Sequence, residues 1–430
     1  MINLTKAKKI VHARLMLQGE ADLTVRDVQA ARDYIHEWWH HARRFHPHDD
    51  ASLLGLPKPY LIPSYDPAAS FDYDELYYWD SYFMSQGLFD DEHKELVKGI
   101  LEDLIVLFER YKVIPNASRT YLMGRSQPPF LTSFIFDVYD NFKPGKAWLR
   151  ESIDVAQQEY KTVWMGSKKP NDRQVYRGLS RYYDINMLHD LAEAESGWDM
   201  TPRFNRRALN YLPVDLNALL YKYESDFARA ARILGDEASA VKWFARAEER
   251  ARVMNELMWD RVRGLYYDYD FVRKRRSHIS SLAAFFPLWA GMVDDHQAAI
   301  LVKTLRHFEH KGGLATTDSL QVSERVLDHM PTQWAYPNGW ANLHFIVVQG
   351  LERYGYHADA KRIAMKWLRT NLTWFDVHGE FLEKYNVVNP AKLPVQGVYP
   401  TQKGFGWTNA IFERFCRDYI DKAGDQSTRS

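Results

Sequence analysis

The chain has 430 residues with 56 basic and 56 acidic side chains, so its formal net charge of zero does not favour binding to nucleic acid or to an anionic membrane. Hydrophobic residues make up 46% of the chain and charged residues 26%, which is typical of a globular protein with a large core. The single cysteine, Cys416, excludes an internal disulfide and a metal cluster built from cysteines.

Residues 1–10 lack the continuous apolar core of a secretory signal, and no run in the chain approaches the apolar length of a membrane span. We therefore expect a soluble, cytoplasmic protein. Aromatic residues are unusually frequent, at 14% of the chain with 14 Trp and 26 Tyr. Trp and Tyr fill cores, but they also form flat walls with a polar edge that suit sugar faces, so their clustering must distinguish the two uses.

Helical periodicity recurs along the chain. Apolar residues at helical spacing predict helices over residues 27–39, 91–112, 131–139, 146–164, 213–234, 238–259, 281–290, 294–308, 341–354, 357–370 and 408–422. A short helix is also predicted just before Asp199. Alternation over residues 265–270 predicts a short strand or hairpin arm.

Aromatic, amide and acidic residues cluster at the predicted helix starts and on the loops between helices. No linker rich in Gly, Ser or Pro divides the helices, and no short sequence repeat is visible. About a dozen helices in successive hairpins, with functional loops at one end, predict a closed helical toroid. We expect a single domain over residues 1–430, with residues 1–60 as an N-terminal helical lead-in.

Several kinds of site are missing from the sequence. It contains no glycine-rich phosphate loop, no dinucleotide-binding fingerprint and no Gly-x-Ser-x-Gly turn. The histidines within residues 40–48 lie in a charged, proline-bearing stretch without acids at metal-ligand spacing, which favours surface positions. The basic cluster at residues 273–276 is interpreted as solvated, or as a local contact for an anion.

Three acidic stretches rich in aromatic residues remain. Residues 194–204 include Asp199, residues 380–385 include Glu383, and residues 71–83 combine four acids with seven aromatic residues. Unpaired carboxylates are costly to bury in a core, so the third stretch is interpreted as a pocket wall. Pyranose faces stack on Trp and Tyr, and paired carboxylates can serve as acid and base of a glycosidase. The sequence therefore predicts a small neutral sugar as ligand; the alternative is that the loop Trp residues cap hydrophobic cores.

Nine ordered segments resemble the trehalases of glycoside hydrolase family 37. They lie between about residues 70 and 415, and they are YYWDSY (77–82), IPN (114–116), RSQPP (125–129), SGWD (196–199), PVDLN (213–217), QW (333–334), PNGW (337–340), EKY (383–385) and GFGWTN (404–409). Their common order is far more specific than any one of them.

The resemblance implies an all-α (α/α)6 barrel, with short strand and loop insertions at the active-site end. It also implies inverting hydrolysis of α,α-trehalose to glucose without a cofactor or a metal ion. Asp199 then corresponds to the general acid and Glu383 to the general base. The residues expected to contact the sugar are Tyr73, Tyr77, Trp79, Asp80, Asn116, Arg125, Gln127, Gly197 and Trp334.

Two geometric expectations follow from that mechanism. Inversion places the two carboxyl groups roughly 6.5–9.5 Å apart, which leaves room for the attacking water. The acid must hold its proton near neutral pH, which requires burial beside apolar surface such as Trp198. Arg203 is expected behind the site as a structural partner of Glu195.

Four departures from the family pattern fall in segments that grip the substrate or cover it. Residues 72–75 read DYDE where the family has Arg-Phe-Arg-Glu, so an arginine contact is lost. The family's Arg-Pro-Glu-Ser segment is missing before Glu195, and its glycine-rich lid is reduced to QGVY at 396–399. Ala335 stands where an acid is common. The two catalytic carboxylates are kept, which supports an inverting glycosidase acting on an α-linked sugar.

Three functions remain open from the sequence. The favoured one is a trehalase with a trimmed lid. The second is a hydrolase of another α-glucoside or α-mannoside, such as glucosylglycerate or mannosylglycerate, whose anionic aglycone would need Arg or Lys in the leaving-group pocket. The third is a catalytically silent sugar-binding protein, against which the intact Asp199 and Glu383 argue. The sequence does not indicate an oligomeric state.

Overall fold

The computed structural model describes residues 23–67, 73–169, 171–319, 332–397 and 399–422. Its helices in chain order are α1 (Val25–Ala42), α2 (Tyr78–Ser85), α3 (Lys94–Tyr111), α4 (Leu131–Phe142), α5 (Lys146–Glu159), α6 (His189–Glu195), α7 (Val214–Leu234), α8 (Glu237–Leu257), α9 (Phe286–Ala290), α10 (Asp295–Thr304), α11 (Ala341–Arg353), α12 (His357–His378) and α13 (Gly406–Cys416). No helix in these ranges is long and apolar enough to span a membrane.

The helices form two concentric layers. The inner ring consists of α2, α4, α7, α9, α11 and α13, and the outer ring of α1, α3, α5, α8, α10 and α12. Consecutive inner helices pack side by side, with α2 joined to α4 through Tyr82, whose ring stacks 4.6 Å from that of Phe130. The ring closes where α13 packs against both α1 and α2. This arrangement confirms the predicted all-α (α/α)6 barrel.

Local sequence explains where individual helices begin and end. At the start of α1, the side chain of Asp27 accepts a hydrogen bond from the backbone N–H of Thr24 over 2.8 Å, as part of a capping box. α7 ends at Gly235, whose φ of 85° lies in the left-handed region that glycine adopts without strain. The outer helix α1 buries one stripe, which consists of Val28, Ala31, Ile35, Trp38, Trp39 and Ala42, whereas the inner helix α2 is buried along its whole length.

Short antiparallel strands lie in the connections between helices. They are β1 (Arg43–Arg44), β2 (Tyr60–Leu61), β3 (Gln174–Tyr176), β4 (Leu179–Ser180), β5 (Tyr211–Leu212), β6 (Trp259–Asp260), β7 (Leu265–Tyr266), β8 (Tyr269–Asp270), β9 (Arg275–Arg276), β10 (Glu309–His310), β11 (Gly313–Leu314), β12 (Asn338–Trp340) and β13 (Lys384–Asn386). The pairing of β12 with β13 sets Trp340 opposite Lys384, and so brings together two of the segments that the sequence singled out.

Some predicted elements differ from the structure in helix type or in continuity. The helix expected over 146–164 ends as a wider π turn at Tyr160–Trp164, and that expected over 281–290 is a 3-10 turn, Leu282–Phe285, followed by α9. The strand expected at 265–270 is divided between two hairpins. Within residues 1–60, α1 belongs to the outer ring, and the expectation of one domain over 1–430 stays a prediction.

Candidate active site

The predicted site residues gather around the amino ends of the inner helices. Trp79 and Asp80 lie in the first turn of α2, Trp340 immediately precedes α11, and Trp407 lies in the first turn of α13. Inner helices of the barrel point the same way because each is followed by an outer helix that returns the chain. Backbone N–H groups at these amino ends have no partner within the helix, so this end of the barrel can bind polar ligands.

Five tryptophans form one continuous cluster beneath the site. The rings of Trp334 and Trp340 stack in parallel with their centroids 3.7 Å apart. Trp198 and Trp79 lie 5.4 and 5.8 Å from Trp334, and Trp407 contacts Trp79 edge to face. The loop tryptophans therefore belong both to the core and to the site, so the two uses that the sequence left open occur together.

The turn that carries Asp199 is built against this cluster. Gly197 has a φ of 71°, and a Cβ atom there would lie 2.4 Å from Cζ2 of Trp79, so no larger residue fits. The buried carboxylate of Glu193, at the end of α6, accepts hydrogen bonds from the backbone N–H groups of Met200 (2.9 Å) and Thr201 (3.1 Å). The turn is thus held on both sides of Asp199.

Arg203 and Glu195 each have a different partner from the one expected. The fully buried guanidinium of Arg203 forms bidentate ion pairs with Asp215 and Asp268, at N–O distances of 2.8–3.0 Å. Glu195 pairs with Arg173 and accepts backbone N–H groups, including that of Ser126 over 2.7 Å. The predicted pairing of Arg203 with Glu195 was therefore wrong, because the two side chains serve separate buried networks.

Burial raises the pKa of the Asp199 carboxyl, as a general acid requires. The positive charge of Lys384 and hydrogen bonds oppose this rise. These hydrogen bonds come from the backbone of Asp199 and from the side chains of Trp334 and Tyr399. The Nε2 atom of Gln333 also donates to Oδ2 of Asp199 over 3.2 Å. The hydroxyl of Tyr399 lies 3.5 Å from the same oxygen.

Burial also raises the pKa of Glu383, which is 2% exposed. Its carboxylate forms a direct ion pair with the buried ammonium of Lys384, which lowers that pKa, while the charge of Asp199 raises it. Two carboxyls that repel each other in a desolvated site are not readily ionised together. The state with one carboxylic acid and one carboxylate is therefore favoured over the state with two carboxylates. The ion pair with Lys384 favours the charge on Glu383.

A third carboxyl, that of Asp80, lies in the same electrostatic environment. Burial raises the pKa of Asp80 to about 7, and the charges of Asp199 and Glu383 add to the rise. Gln127 opposes it with a hydrogen bond to Asp80, and its Oε1 accepts the backbone N–H of Trp79 over 2.9 Å. Gln127 therefore both accepts a backbone N–H that has no partner within α2 and orients the carboxyl of Asp80.

Tyr73 and Tyr77 form the wall beside these carboxyls. Their ring centroids lie 6.2 Å apart. Burial and then the charge of Glu383 raise the pKa of Tyr73, with Asp80 and Asp199 adding to the rise, so its hydroxyl stays neutral. Tyr77 donates its hydroxyl to Glu75 over 3.1 Å.

Hydrogen bonds join the segment that carries Asn116 to the segment that carries Arg125 at the edge of the site. The backbone N–H of Asn116 donates to the carbonyl of Arg125 over 2.9 Å, and its side chain donates to the carbonyl of Ser126 over 3.1 Å. The Arg125 guanidinium pairs with Asp184 over 3.3 Å. The other arginine here, Arg119, pairs with Glu75 over 3.1 Å.

The structure brings all eleven predicted residues into this one region, and their roles stay predictions. Sequence reasoning missed Glu193, and it noted Lys384, Gln333 and Tyr399 only as parts of motifs, without a role at the site. The position of Lys384 directly after Glu383 was the available signal, but a neighbour in sequence is usually directed elsewhere. Of the departures, Asp72 and Val398 lie outside the described residues.

Comparisons with known proteins agree on one family. A family model described as Trehalase matches residues 18–196 and 175–419. The cytosolic neutral trehalase of Beauveria bassiana is 32% identical over 84% of this chain, and that of Emericella nidulans is 32% identical over 82%. This chain spans 58% and 57% of those two proteins, less than two thirds of their length.

Solved structures share the fold. The neutral trehalase of Saccharomyces cerevisiae superposes with a TM-score of 0.74 and 28% identity, over 85% of this chain and 74% of that one. A mannosylglycerate hydrolase of family GH63 from Thermus thermophilus, in complex with glucose, has a TM-score of 0.66 over 90% of this chain and 99% of that one. Its identity of 19% supports likeness of fold alone.

Proposed function

Because this chain belongs to the trehalase family, we propose that it hydrolyses α,α-trehalose to glucose with inversion, using Asp199 as general acid and Glu383 as general base. The observation that carries the proposal is the pair itself. Burial raises the pKa of both carboxyls, the charge of Asp199 adds to the rise at Glu383, and of the two only Glu383 has a direct ion pair that favours its charge. Unequal protonation of two carboxyls is what inverting hydrolysis requires.

The chemical steps follow from these protonation states. Asp199 donates its proton to the glycosidic oxygen as that bond breaks, while Glu383 takes a proton from the water that attacks the anomeric carbon on the opposite face. The attacked ring leaves as β-glucose and the other ring leaves as α-glucose. The neutral Tyr73 and the tryptophan cluster suit a sugar ring and its hydroxyls. The expected carboxyl separation of roughly 6.5–9.5 Å stays a prediction.

The glycerate glycosides receive less support. An anionic aglycone would need an arginine or lysine that is available to it, and both Arg119 and Arg125 are engaged with carboxylates. The named trehalase relatives favour a neutral disaccharide, and the word cytosolic in their names supports the expected cytoplasmic location.

The test is hydrolysis of trehalose followed by proton NMR, which resolves the two anomers. We expect the wild type to release α- and β-glucose in equal amounts at first. Glu383→Gln and Asp199→Asn should each lower kcat by about 10²–10⁴-fold, the range for loss of a general acid or base. The matched control is Glu380→Gln, since Glu380 lies in the same segment but pairs with Lys403 over 3.0 Å.

Each arm of the experiment can contradict the proposal. A wild type that is inert toward trehalose but cleaves mannosylglycerate or glucosylglycerate would replace the substrate and keep the carboxyl pair. Release of α-glucose alone would exclude inversion. A wild type inert toward all of these sugars would favour a sugar-binding protein.

A further inference from the structure

Lys384 and Gln333 form a bridge between the two catalytic carboxyls. Lys384 is fully buried; its Nζ pairs with the carboxylate of Glu383 and donates to Oε1 of Gln333 over 3.0 Å. The Nε2 atom at the other end of the Gln333 amide donates to Oδ2 of Asp199 over 3.2 Å. The same Nε2 atom donates to the hydroxyl of Tyr399 over 2.7 Å. We call this arrangement the Lys384–Gln333 bridge.

The side-chain amide of Gln333 has a single possible orientation in the bridge. An ammonium group offers only donors, so Oε1 of Gln333 must face Lys384 and its N–H groups must face Asp199. The backbone of Gln333 is fixed as well, since its carbonyl accepts the side-chain amide of Asn338 (2.9 Å) and the indole N–H of Trp340 (3.3 Å). Oδ2 of Asp199 therefore accepts a hydrogen bond from the amide, and a proton on Oδ1 would leave this contact undisturbed.

Titratable groups face the bridge from several elements. Asp80 on α2 and Tyr73 before it lie in the field of both carboxyls. Glu193 on α6 faces Asp199, and Tyr399 approaches from the shortened lid loop. The acids among these repel further negative charge, whereas the ammonium of Lys384 attracts it.

Lys384 acts unequally on the acid and the base. It lowers the pKa of both Asp199 and Glu383, but its contact with Glu383 is direct, whereas it reaches Asp199 through the neutral amide of Gln333. Coulombic attraction falls with distance, so the carboxylate form is favoured more strongly at Glu383. The ring of Trp340 lies 5.0 Å from Nζ and keeps the ammonium away from solvent.

We propose that the Lys384–Gln333 bridge sets opposite protonation states in the resting protein, a carboxylate at Glu383 and a carboxylic acid with its proton on Oδ1 of Asp199. Both bridge residues are positioning residues, since they act through the two carboxyls. The catalytic meaning rests on the proposed function, but the protonation states belong to the free protein. After one turnover Asp199 has lost a proton and Glu383 has gained one, and exchange with solvent restores the resting state.

The first test uses the pH dependence of kcat/KM, which reports the ionisations of the free enzyme. Lys384→Met removes the positive charge and keeps most of the side-chain volume. Because Lys384 lowers both pKa values, we expect both limbs of the bell-shaped profile to move upward, by about one pH unit on the acidic side, where one unit equals a tenfold change in ionisation equilibrium. At pH values below the acidic limb of the wild type, kcat/KM should fall by about tenfold, and at its optimal pH the fall should be smaller.

Gln333→Met is the matched comparison. It leaves the ion pair of Lys384 with Glu383 and removes the N–H donor from Asp199, so only the alkaline limb should move, again upward. Near-ultraviolet circular dichroism and thermal unfolding report whether each variant keeps its fold. Folded variants that lose activity while neither limb moves would overturn the proposal, because a purely structural role predicts that result.

A second readout needs no substrate. Infrared difference spectra at neutral pH detect the C=O stretch of protonated carboxyls. The band should lose one component in Asp199→Asn, which lacks the protonated carboxyl, and none in Glu383→Gln. It should gain a component in Lys384→Met, where Glu383 becomes protonated. The double variant Lys384→Met/Glu383→Gln should lack that added component. Assignment of the resting proton to Glu383 would overturn the bridge. If instead the band behaves as expected while the wild type does not cleave trehalose, the proposed function fails and the bridge stands.

Discussion

At the scale of single residues, the site depends on close approach as much as on charge. Gly197 combines a left-handed backbone with direct contact against Trp79, and it precedes Trp198 and Asp199. A side chain here would shift either Trp79, the proposed sugar contact, or the turn that carries Asp199, the proposed acid. Small displacements of a catalytic group lower rates strongly, since the reacting atoms must be aligned.

We predict that Gly197→Ala lowers both stability and activity. The left-handed conformation alone costs a residue with a Cβ about 1–2 kcal/mol, and the clash with Trp79 adds to that. Gly178→Ala is the control, because Gly178 has a similar φ of 80° but nothing within 4 Å of the added Cβ. Denaturant unfolding and kcat/KM measure the two effects, and equal losses in both variants would refute the role of the contact.

At the scale of elements, buried ion pairs attach the loop of the acid to the barrel. Arg203 follows the Asp199 turn, Asp215 lies in the first turn of α7, and Asp268 lies between β7 and β8. The guanidinium also lies 4.4 Å from the ring centroid of Trp198. One arginine thus joins three elements and supports the tryptophan next to the acid.

We predict that Arg203→Leu lowers the free energy of unfolding by about 3–5 kcal/mol, because it leaves two carboxylates buried without a counter-charge. Arg229→Leu is the matched control. Arg229 also pairs with an aspartate, since its Nη2 donates to both carboxylate oxygens of Asp140, but both side chains are more than 40% exposed, so the loss should be about 0–1 kcal/mol. Chemical denaturation measures both values, and similar losses would contradict the prediction.

At the scale of the whole molecule, the closed double ring buries acids that have no ion pair within the described part of the chain. Asp103 on α3 is fully buried; its Oδ1 accepts the backbone N–H of Lys58 over 3.0 Å, and its Oδ2 has no hydrogen-bond partner among the described residues. Burial raises the pKa of Asp103 to about 8. The folded protein therefore keeps this proton at a pH where the unfolded chain releases it.

The sign of the pH effect follows from that difference. A raised folded pKa gives stability that is complete below the unfolded pKa of about 3.9 and is lost as pH rises through the folded value of about 8. Asp103→Asn removes the titration and keeps an acceptor for Lys58. We predict that the variant gains stability relative to wild type as pH rises from 5 to 9.

Denaturant unfolding at several pH values measures this gain. The control is Glu102→Gln on the same helix, because the Glu102 side chain is 39% exposed and pairs with Lys58 at the surface. Its difference from wild type should hardly change with pH. An Asp103→Asn difference that is equally flat would show that Asp103 does not keep its proton in the folded protein.

The sequence by itself determined the barrel and the position of its site along the chain. Helical periodicity depends on neighbours three and four residues apart, and ordered motifs such as YYWDSY and EKY can be read directly. The helix predicted over residues 213–234 and the short helix predicted before Asp199 were confirmed for the same reason. The candidate pair, Asp199 and Glu383, was also identified from such motifs, through their resemblance to the family.

Only the tertiary structure decided which charged and polar groups meet. Gln333 and Asp199 lie 134 positions apart, and nothing in the spacing of the sequence selects this contact. Arg203 pairs with Asp215 and Asp268 and not with Glu195, which is nearer in the sequence. The partner of a buried charge depends on where packing places each side chain. Residue types reveal what chemistry is available, whereas the Lys384–Gln333 bridge arises from long-range packing that a local pattern does not encode.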